Sequence, residues 1–146
     1  MADLIWLHEE GLRRTHPIFA RAEADSPAVF VWDQAYFKAA HIGLKRQIFI
    51  YESLIDLPVD ICAGTHKDVI TGRIRADRVT RLLVLETPNT LLNRTVVELR
   101  QACPHVAVEI VADTPFVTLE REPDLGRFFH YWTKAKKSAL CHGGLR

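Results

Sequence analysis

The chain has 146 residues, 48% of them hydrophobic, and is long enough to bury one compact core. Its 19 Lys and Arg against 18 Asp and Glu leave a net charge of +1, which excludes a protein-wide field that favours nucleic acid or an anionic membrane. The three cysteines lack zinc-type spacing, and no stretch approaches the roughly 20 apolar residues of a membrane span. The first residues lack the basic start and the long apolar run that are typical of a signal peptide, so we expect one cytoplasmic domain over residues 1–146 without a membrane partner.

Short apolar runs rich in β-branched residues alternate with longer segments of helical period. The runs cover residues 4–7, 28–32, 59–62, 82–85 and 106–111. Most of them lack a period of two, which is typical of strands whose two faces are both covered by helices. This alternation predicts βαβ units and a three-layer α/β fold around a parallel sheet.

The segments between the runs carry helix signals. Pro17 opens a short first helix, and apolar residues at i, i+4, i+7 and i+11 predict an amphipathic helix over 42–56. Thr65 with Asp68 resembles a capping box for a helix that runs to about Ile74. A similar apolar spacing predicts a helix from Pro88, in its first turn, to the stop at Pro104. The last helix has one face made of Leu125, Phe128, Phe129, Trp132, Ala135 and Ala139.

Four strings stand in a fixed order along the chain. They are L-I-W-L at 4–7 with Pro17 beyond it, A-V-F-V-W-D at 28–33 followed by A-Y-F at 35–37, the helix 46–57 with E-S-L at 52–54, and R-F-F-H-Y-W-T-K-A at 127–135. In this order they resemble the N-terminal α/β domain of the DNA photolyase and cryptochrome family. The resemblance covers nearly the whole chain.

The resemblance implies a Rossmann-like sheet with five parallel strands in the order 3-2-1-4-5. It also implies an antenna-type chromophore (a flavin, a folate or a deazaflavin) or a nucleotide as ligand. In the family, catalytic FAD lies in a separate helical domain, so we expect no FAD site here and no light-driven DNA repair by these residues alone. His8, Glu9 and Glu10 replace the basic residues that follow the family's first strand.

Ligands of open parallel sheets bind beyond the carboxyl ends of the strands, at the point where the strand order reverses. In the implied order, this point lies between the first and fourth strands. The predicted ligand-binding residues are therefore His8, Glu9, Glu10, Asp33, Thr65, Glu86, Thr87 and Asn89. A nucleotide is one candidate, because Thr65 and Thr87 each precede a helix whose first amides can hold a phosphate.

The same residues also allow another kind of site. The same carboxylates with His8 describe, as an alternative, a small enzyme acting on a nucleotide or phosphorylated substrate. We assign no catalytic residue, because no nucleophile stands in a recognised motif with a base. We predict no metal site either, since nothing here has a recognised ligand spacing.

The last helix predicts an interaction surface. Its aromatic residues correspond to those that pack at the domain junction in the family, and they are Phe128, Phe129, Tyr131 and Trp132. They fit a homodimer or a separate helical flavoprotein subunit, which makes an interaction protein without any ligand a further alternative. Lysines of this helix also suit nucleic acid, but the net charge of +1 gives that partner little support.

Overall fold

The strands and helices follow the predicted alternation. The computed structural model describes residues 2–122 and 126–141, except for the side chain of Cys141. Its strands are β1 (Asp3–Leu7), β2 (Ala28–Trp32), β3 (Asp60–Ala63), β4 (Arg81–Leu85) and β5 (Ala107–Val111). Its helices are α1 (Pro17–Arg21), α2 (Gln34–Ala39), α3 (Leu44–Ile55), α4 (His66–Ala76), α5 (Thr90–Ala102) and α6 (Phe128–Cys141).

The strands form one five-stranded, all-parallel sheet in the order β3-β2-β1-β4-β5. This order confirms the predicted Rossmann-like α/β fold. The connections through α1 and α3 run one way along the sheet and those through α4 and α5 run the other way, so right-handed crossovers place α1 and α3 on one face and α4 and α5 on the other. The short helix α2 lies at the carboxyl edge, where Tyr36 contacts His66 of α4. The two helices of the second face contact each other.

Burial along the sheet follows strand position. Every residue of the central strand β1 is buried, and β4 is buried except for its first residue, which is half-buried. The edge strands β3 and β5 are largely exposed or half-buried, because each has a neighbour on one side only. The apolar runs of the sequence therefore marked all the strands, with bounds that differ by no more than one residue.

The ends of the helices show which sequence signals were correct. Pro17 is the first residue of α1, as predicted. The Thr65 side chain caps α4 by accepting the amide of Asp68, while its hydroxyl donates to the Asp68 carboxylate, so the reciprocal bond of a capping box is replaced. For α5 the prediction was wrong by a few residues: Pro88 lies before the helix, and Asn89 is its N-cap.

Helix α3 confirms the predicted helix but not its expected orientation. The residues spaced as its apolar stripe, Leu44, Ile48, Tyr51 and Ile55, are all at least half exposed. Its core contacts come instead from Ile50 and Leu54, which lie on another face of the helix. The helix is apolar on two faces. The face that packs against the sheet is not the one that the i, i+4, i+7 and i+11 spacing indicated.

The amino ends of the central strands are joined by an ion pair. The side chain of Asp3 is fully buried, and Arg81 stands opposite it on β4. The Arg81 guanidinium donates to both carboxylate oxygens, from Nε at 2.9 Å and from Nη2 at 2.5 Å, and the Glu23 amide donates at 2.9 Å. These bonds, led by the guanidinium, hold the pKa of Asp3 below its ordinary value of 3.8 although burial opposes the shift.

The chain divides into two compact units, Met1–Asp113 with the sheet and Thr114–Arg146 with α6. The single domain expected over residues 1–146 stays a prediction. In the second unit, α6 carries the predicted aromatic residues, while Leu125 lies outside the described residues. Across the described residues, no helix combines the length and the apolar character that a membrane crossing requires.

Candidate functional site

The carboxyl ends of β1 and β4 are joined by a tyrosine that no sequence signal marked as part of the site. Tyr36 lies in α2, directly after β2, and its hydroxyl donates to Glu9 Oε1. The same hydroxyl accepts a hydrogen bond from Asn89 Nδ2 at 3.0 Å. Burial and the Glu9 carboxylate raise the pKa of Tyr36, so the phenol stays protonated and remains a donor. The predicted residues Glu9 and Asn89 are therefore brought together through Tyr36.

A second link closes the same point of the sheet. The hydroxyl of Thr87, which is buried after β4, donates to Glu10 Oε2. Thr87 Oγ1 also accepts the amide of Asn89 at 3.0 Å, and its carbonyl accepts Asn93 Nδ2 at 3.0 Å. Asn89 in turn caps α5 through the amide of Leu91. The crevice predicted between the first and fourth strands is thus bridged by the side chains expected to line it.

His8 is buried beneath these links. Its Nδ1 accepts a hydrogen bond from the amide of Glu10 at 3.4 Å, so the ring proton lies on Nε2. Nε2 therefore donates to the carbonyl oxygen of Leu85 at 3.2 Å. Burial is the main cause that lowers the pKa of His8, and the imidazole is neutral at pH 7. Both ring nitrogens are engaged in the fold. His8 therefore offers no free nitrogen to a ligand or a substrate. In the alternative of a small enzyme, only the glutamates are then available for acid–base chemistry.

Asp33 and His66 form the polar pair beyond β2 and β3. Asp33 caps α2 by accepting the amide of Tyr36 at 2.9 Å, and its Oδ2 accepts both the amide and Nδ1 of His66 at 3.0 Å. Burial raises the pKa of Asp33, but the two backbone bonds and His66 outweigh it, and the pKa is lowered. Burial lowers the pKa of His66 more than Asp33 raises it, so the pair consists of a carboxylate and a neutral imidazole.

Aromatic rings enclose His66. The centroid of its ring lies 5.3 Å from that of Trp6 and 4.9 Å from that of Tyr36, with the Tyr36 ring edge-on. Within the described residues, the buried Trp6 indole N–H has no hydrogen-bond acceptor. A buried donor without an acceptor costs on the order of 1–3 kcal/mol.

An open groove lies beside the bridged crevice, with a volume of about 290 Å³. Its walls come from α2, from the first turn of α4 and from α5. The side chains that give it chemical character are Tyr36, His66, Lys67, Arg94, Thr95 and Glu98. Of the predicted ligand-binding residues, Asp33 and Thr65 line this groove. Glu86 is exposed and lines neither the groove nor the bridged crevice.

The groove residues were not predicted as site residues, because each belongs to a sequence pattern with a different structural interpretation. Tyr36 stood in a family-like string, His66 in a capping motif, and Arg94 on the polar side of a helix. The one cue that the sequence offered was Asp33, a preferred N-cap residue before a segment that we did not predict as helical.

Comparisons with known proteins give no assignment. No protein-family model matches the chain. A search of curated proteins also finds no match. Among the described residues, no group of three or more His, Cys, Asp or Glu side chains is placed to hold a metal ion.

Proposed function

We propose that the chain is a photolyase-related α/β module that binds a phosphate-bearing aromatic ligand, either a nucleotide or an antenna-type chromophore. The observation that carries the proposal is the groove at the carboxyl ends of the strands, where Lys67 and Arg94 lie beside the rings of Tyr36 and His66. Ligands of parallel α/β sheets bind at this edge, and aromatic walls with a few polar groups are typical of such sites.

The first turn of α4 is the expected phosphate position. The amides of His66 and Asp68 already have partners in Asp33 and Thr65. The amide of Lys67 has none within the described residues, and its ammonium is exposed at the same place. A phosphate there accepts the free amide, meets the positive end of the eleven-residue helix, and pairs with Lys67.

The other end of the groove suits a sugar or a ring system. Arg94 extends the positive wall from α5, and Glu98, one turn further, is an acceptor for hydroxyl groups. A volume of about 290 Å³ is at the lower end of small-molecule sites, so it fits a mononucleotide or the head of a chromophore rather than a dinucleotide. This makes FMN and ATP the first ligands to test, with folates as aromatic ligands that carry carboxylates in place of a phosphate and FAD as the larger comparison.

The test is binding of these compounds to the purified full chain. The two readouts are thermal shift and tryptophan fluorescence, to which Trp6 beside His66 contributes. At a ligand concentration of about 100 Kd, the stabilisation is about 2.7 kcal/mol, which for a chain of this size raises Tm by roughly 5–10 °C. The double variant Lys67→Ala/Arg94→Ala should lose most of this shift. Lys134→Ala/Lys136→Ala removes the same charge from α6 and should keep it.

Two results would end the proposal. One is the absence of any shift with FMN, FAD, folates or ATP up to millimolar concentration. The other is a shift that is the same in the groove double variant and in the α6 control, because such a ligand binds elsewhere.

A specific observation also favours the second candidate function, an interaction module without ligand. Phe128 and Phe129 of α6 are 65% and 75% exposed, and the rings of Phe128 and Trp132 stack with centroids 6.1 Å apart. Tyr131 is half-buried. The partners that we propose for this face are a second copy or a helical flavoprotein subunit. Light scattering of wild type and Trp132→Ala tests the homodimer, and an unchanged monomer in both argues against it.

A further inference from the structure

The outer face of α3 carries an apolar stripe that is exposed within the described part of the chain. Leu44, Ile48, Tyr51 and Ile55 are 72%, 50%, 51% and 65% exposed, whereas Ile50 and Leu54 of the same helix are buried against the sheet. A row of this kind on a well-formed helix is unusual for a surface that only meets water. A cavity of about 200 Å³, lined by Trp32, Leu44, Gln47, Ile48 and Tyr51, lies along it.

The spacing of the stripe is that of a coiled-coil seam. Its residues follow one another at intervals of four, three and four, which places them at alternating d and a positions. When two such helices pack antiparallel, each d residue faces an a residue of the other helix. Leu44 then lies opposite Ile55 of the second copy, and Ile48 opposite its Tyr51, so the stripe is complementary to itself.

The charges beside the stripe select the antiparallel arrangement. Lys45 and Glu52 are both exposed, both follow a d residue, and neither has an ion pair within the described residues. In an antiparallel pair, Lys45 meets Glu52 of the second copy, and the contact occurs twice about the symmetry axis. In a parallel pair, Glu52 would instead face the uncharged Gln47 of the second copy, and this ion pair would not form. Opposite charges at such flanking positions are the usual determinant of helix orientation.

We propose that α3 is the interface of a symmetric homodimer in which two copies of the helix pack antiparallel through this stripe. The apolar cavity beside Leu44 accepts Ile55 of the second copy at each end of the seam. A helix of twelve residues is about 18 Å long, so the buried area is at the low end for stable complexes. The dimer is therefore expected at micromolar rather than nanomolar concentrations of protein.

A charge-swap experiment tests the register. Sedimentation equilibrium of the full chain over a wide concentration range gives the dissociation constant of the dimer. Lys45→Glu or Glu52→Lys turns two attractive contacts into two repulsive ones and should raise this constant about tenfold or more. The double variant Lys45→Glu/Glu52→Lys should return it to within about threefold of wild type. An equimolar mixture of the two single variants should form a heterodimer.

Controls separate this interface from other effects. Ile48→Glu places a charge in the seam and should abolish the dimer, while the circular dichroism spectrum stays unchanged because the residue is exposed. Lys134→Glu on α6 should leave the dimer intact. The proposal is overturned by a wild-type chain that is monomeric at all concentrations, by single variants that the double variant does not rescue, or by a dimer that survives Ile48→Glu but is lost in Trp132→Ala.

Discussion

Removal of one hydroxyl group, in Tyr36→Phe, tests whether the strand ends are held together as described. The hydroxyl donates to the Glu9 carboxylate and accepts from Asn89, so it connects the segments after β1, β2 and β4. A hydrogen bond to a charged group contributes about 1.5–3 kcal/mol, and an amide left without its acceptor costs about 1 kcal/mol more. Glu9 is half-buried and regains part of its hydration. We therefore expect a net loss of about 2 kcal/mol.

The assay is thermal and urea unfolding of the full chain at pH 7. For 146 residues, a loss of about 2 kcal/mol lowers Tm by roughly 4–8 °C. Tyr51→Phe, measured at a protein concentration below the dissociation constant of the proposed α3 dimer, is the matched control, because Tyr51 is exposed and its hydroxyl has no hydrogen-bond partner within the described residues. It should change stability by less than about 0.5 kcal/mol.

A double-mutant cycle assigns the loss to the correct partner. Glu9→Gln weakens the same bond, so the effects of Tyr36→Phe and Glu9→Gln should fall short of additive by about 1 kcal/mol. The interpretation of Tyr36 as a bridge is refuted if Tyr36→Phe is as stable as wild type. It is also refuted if the two substitutions are additive, since independent effects mean that the two side chains do not share a bond.

Three further predictions concern stability and protonation. Asp3→Asn should cost about 3 kcal/mol of stability at pH 7. Because the pKa of Asp3 is lowered from 3.8 in the folded state, the stability that its carboxylate contributes is present above pH 3.8 and is lost as the pH falls through the folded-state pKa. The urea midpoint of the variant should therefore fall less on acidification than that of wild type. Asp33→Ala should cost about 3 kcal/mol and lower the pKa of His66 further in an NMR titration, because Asp33 is the group that raises it. Ile50→Ala should cost about 2–5 kcal/mol in urea unfolding, whereas Ile48→Ala should cost the monomer under about 0.5 kcal/mol; equal losses would contradict the orientation of α3.

The sheet could be predicted because its signal is strong and local. Runs such as 28–32 and 82–85 are apolar without alternation, and only a strand covered on both faces accounts for them in so few residues. The strand order did not come from these runs. It came from the family resemblance, and the order β3-β2-β1-β4-β5 agrees with it.

The orientation of α3 could not be predicted from its pattern. The helix has an apolar stripe through Ile48 and a second apolar face through Ile50 and Leu54. Periodicity identifies apolar faces but does not state what each one covers. The choice between them is made by the sheet, through contacts between residues that are distant in sequence.

The sequence predicted several residues that meet at the sheet edge, while their role as ligand-binding residues stays a prediction. The carboxyl-end rule brings Glu9, Glu10, Thr87 and Asn89 to one place, as the hydrogen bonds show. It does not state whether side chains there face a ligand or one another. Tyr36 binds Glu9 and Asn89 to each other, so these side chains face one another. It lies on the six-residue helix α2, which is too short to give a periodic signal.

The pairing of β1 with β4 has a consequence for the order of events during synthesis. Asp3 and Arg81, which stand opposite each other, are separated by 78 positions in the chain. At a translation rate of about 5–20 residues per second, one edge of β1, every residue of which is buried in the folded chain, stays unpaired for roughly 4–15 s before its neighbour is synthesised. During that interval the nascent chain presents an open β-edge to the ribosome surface and to chaperones. Slower translation after β3 should therefore lower the yield of folded protein rather than improve it.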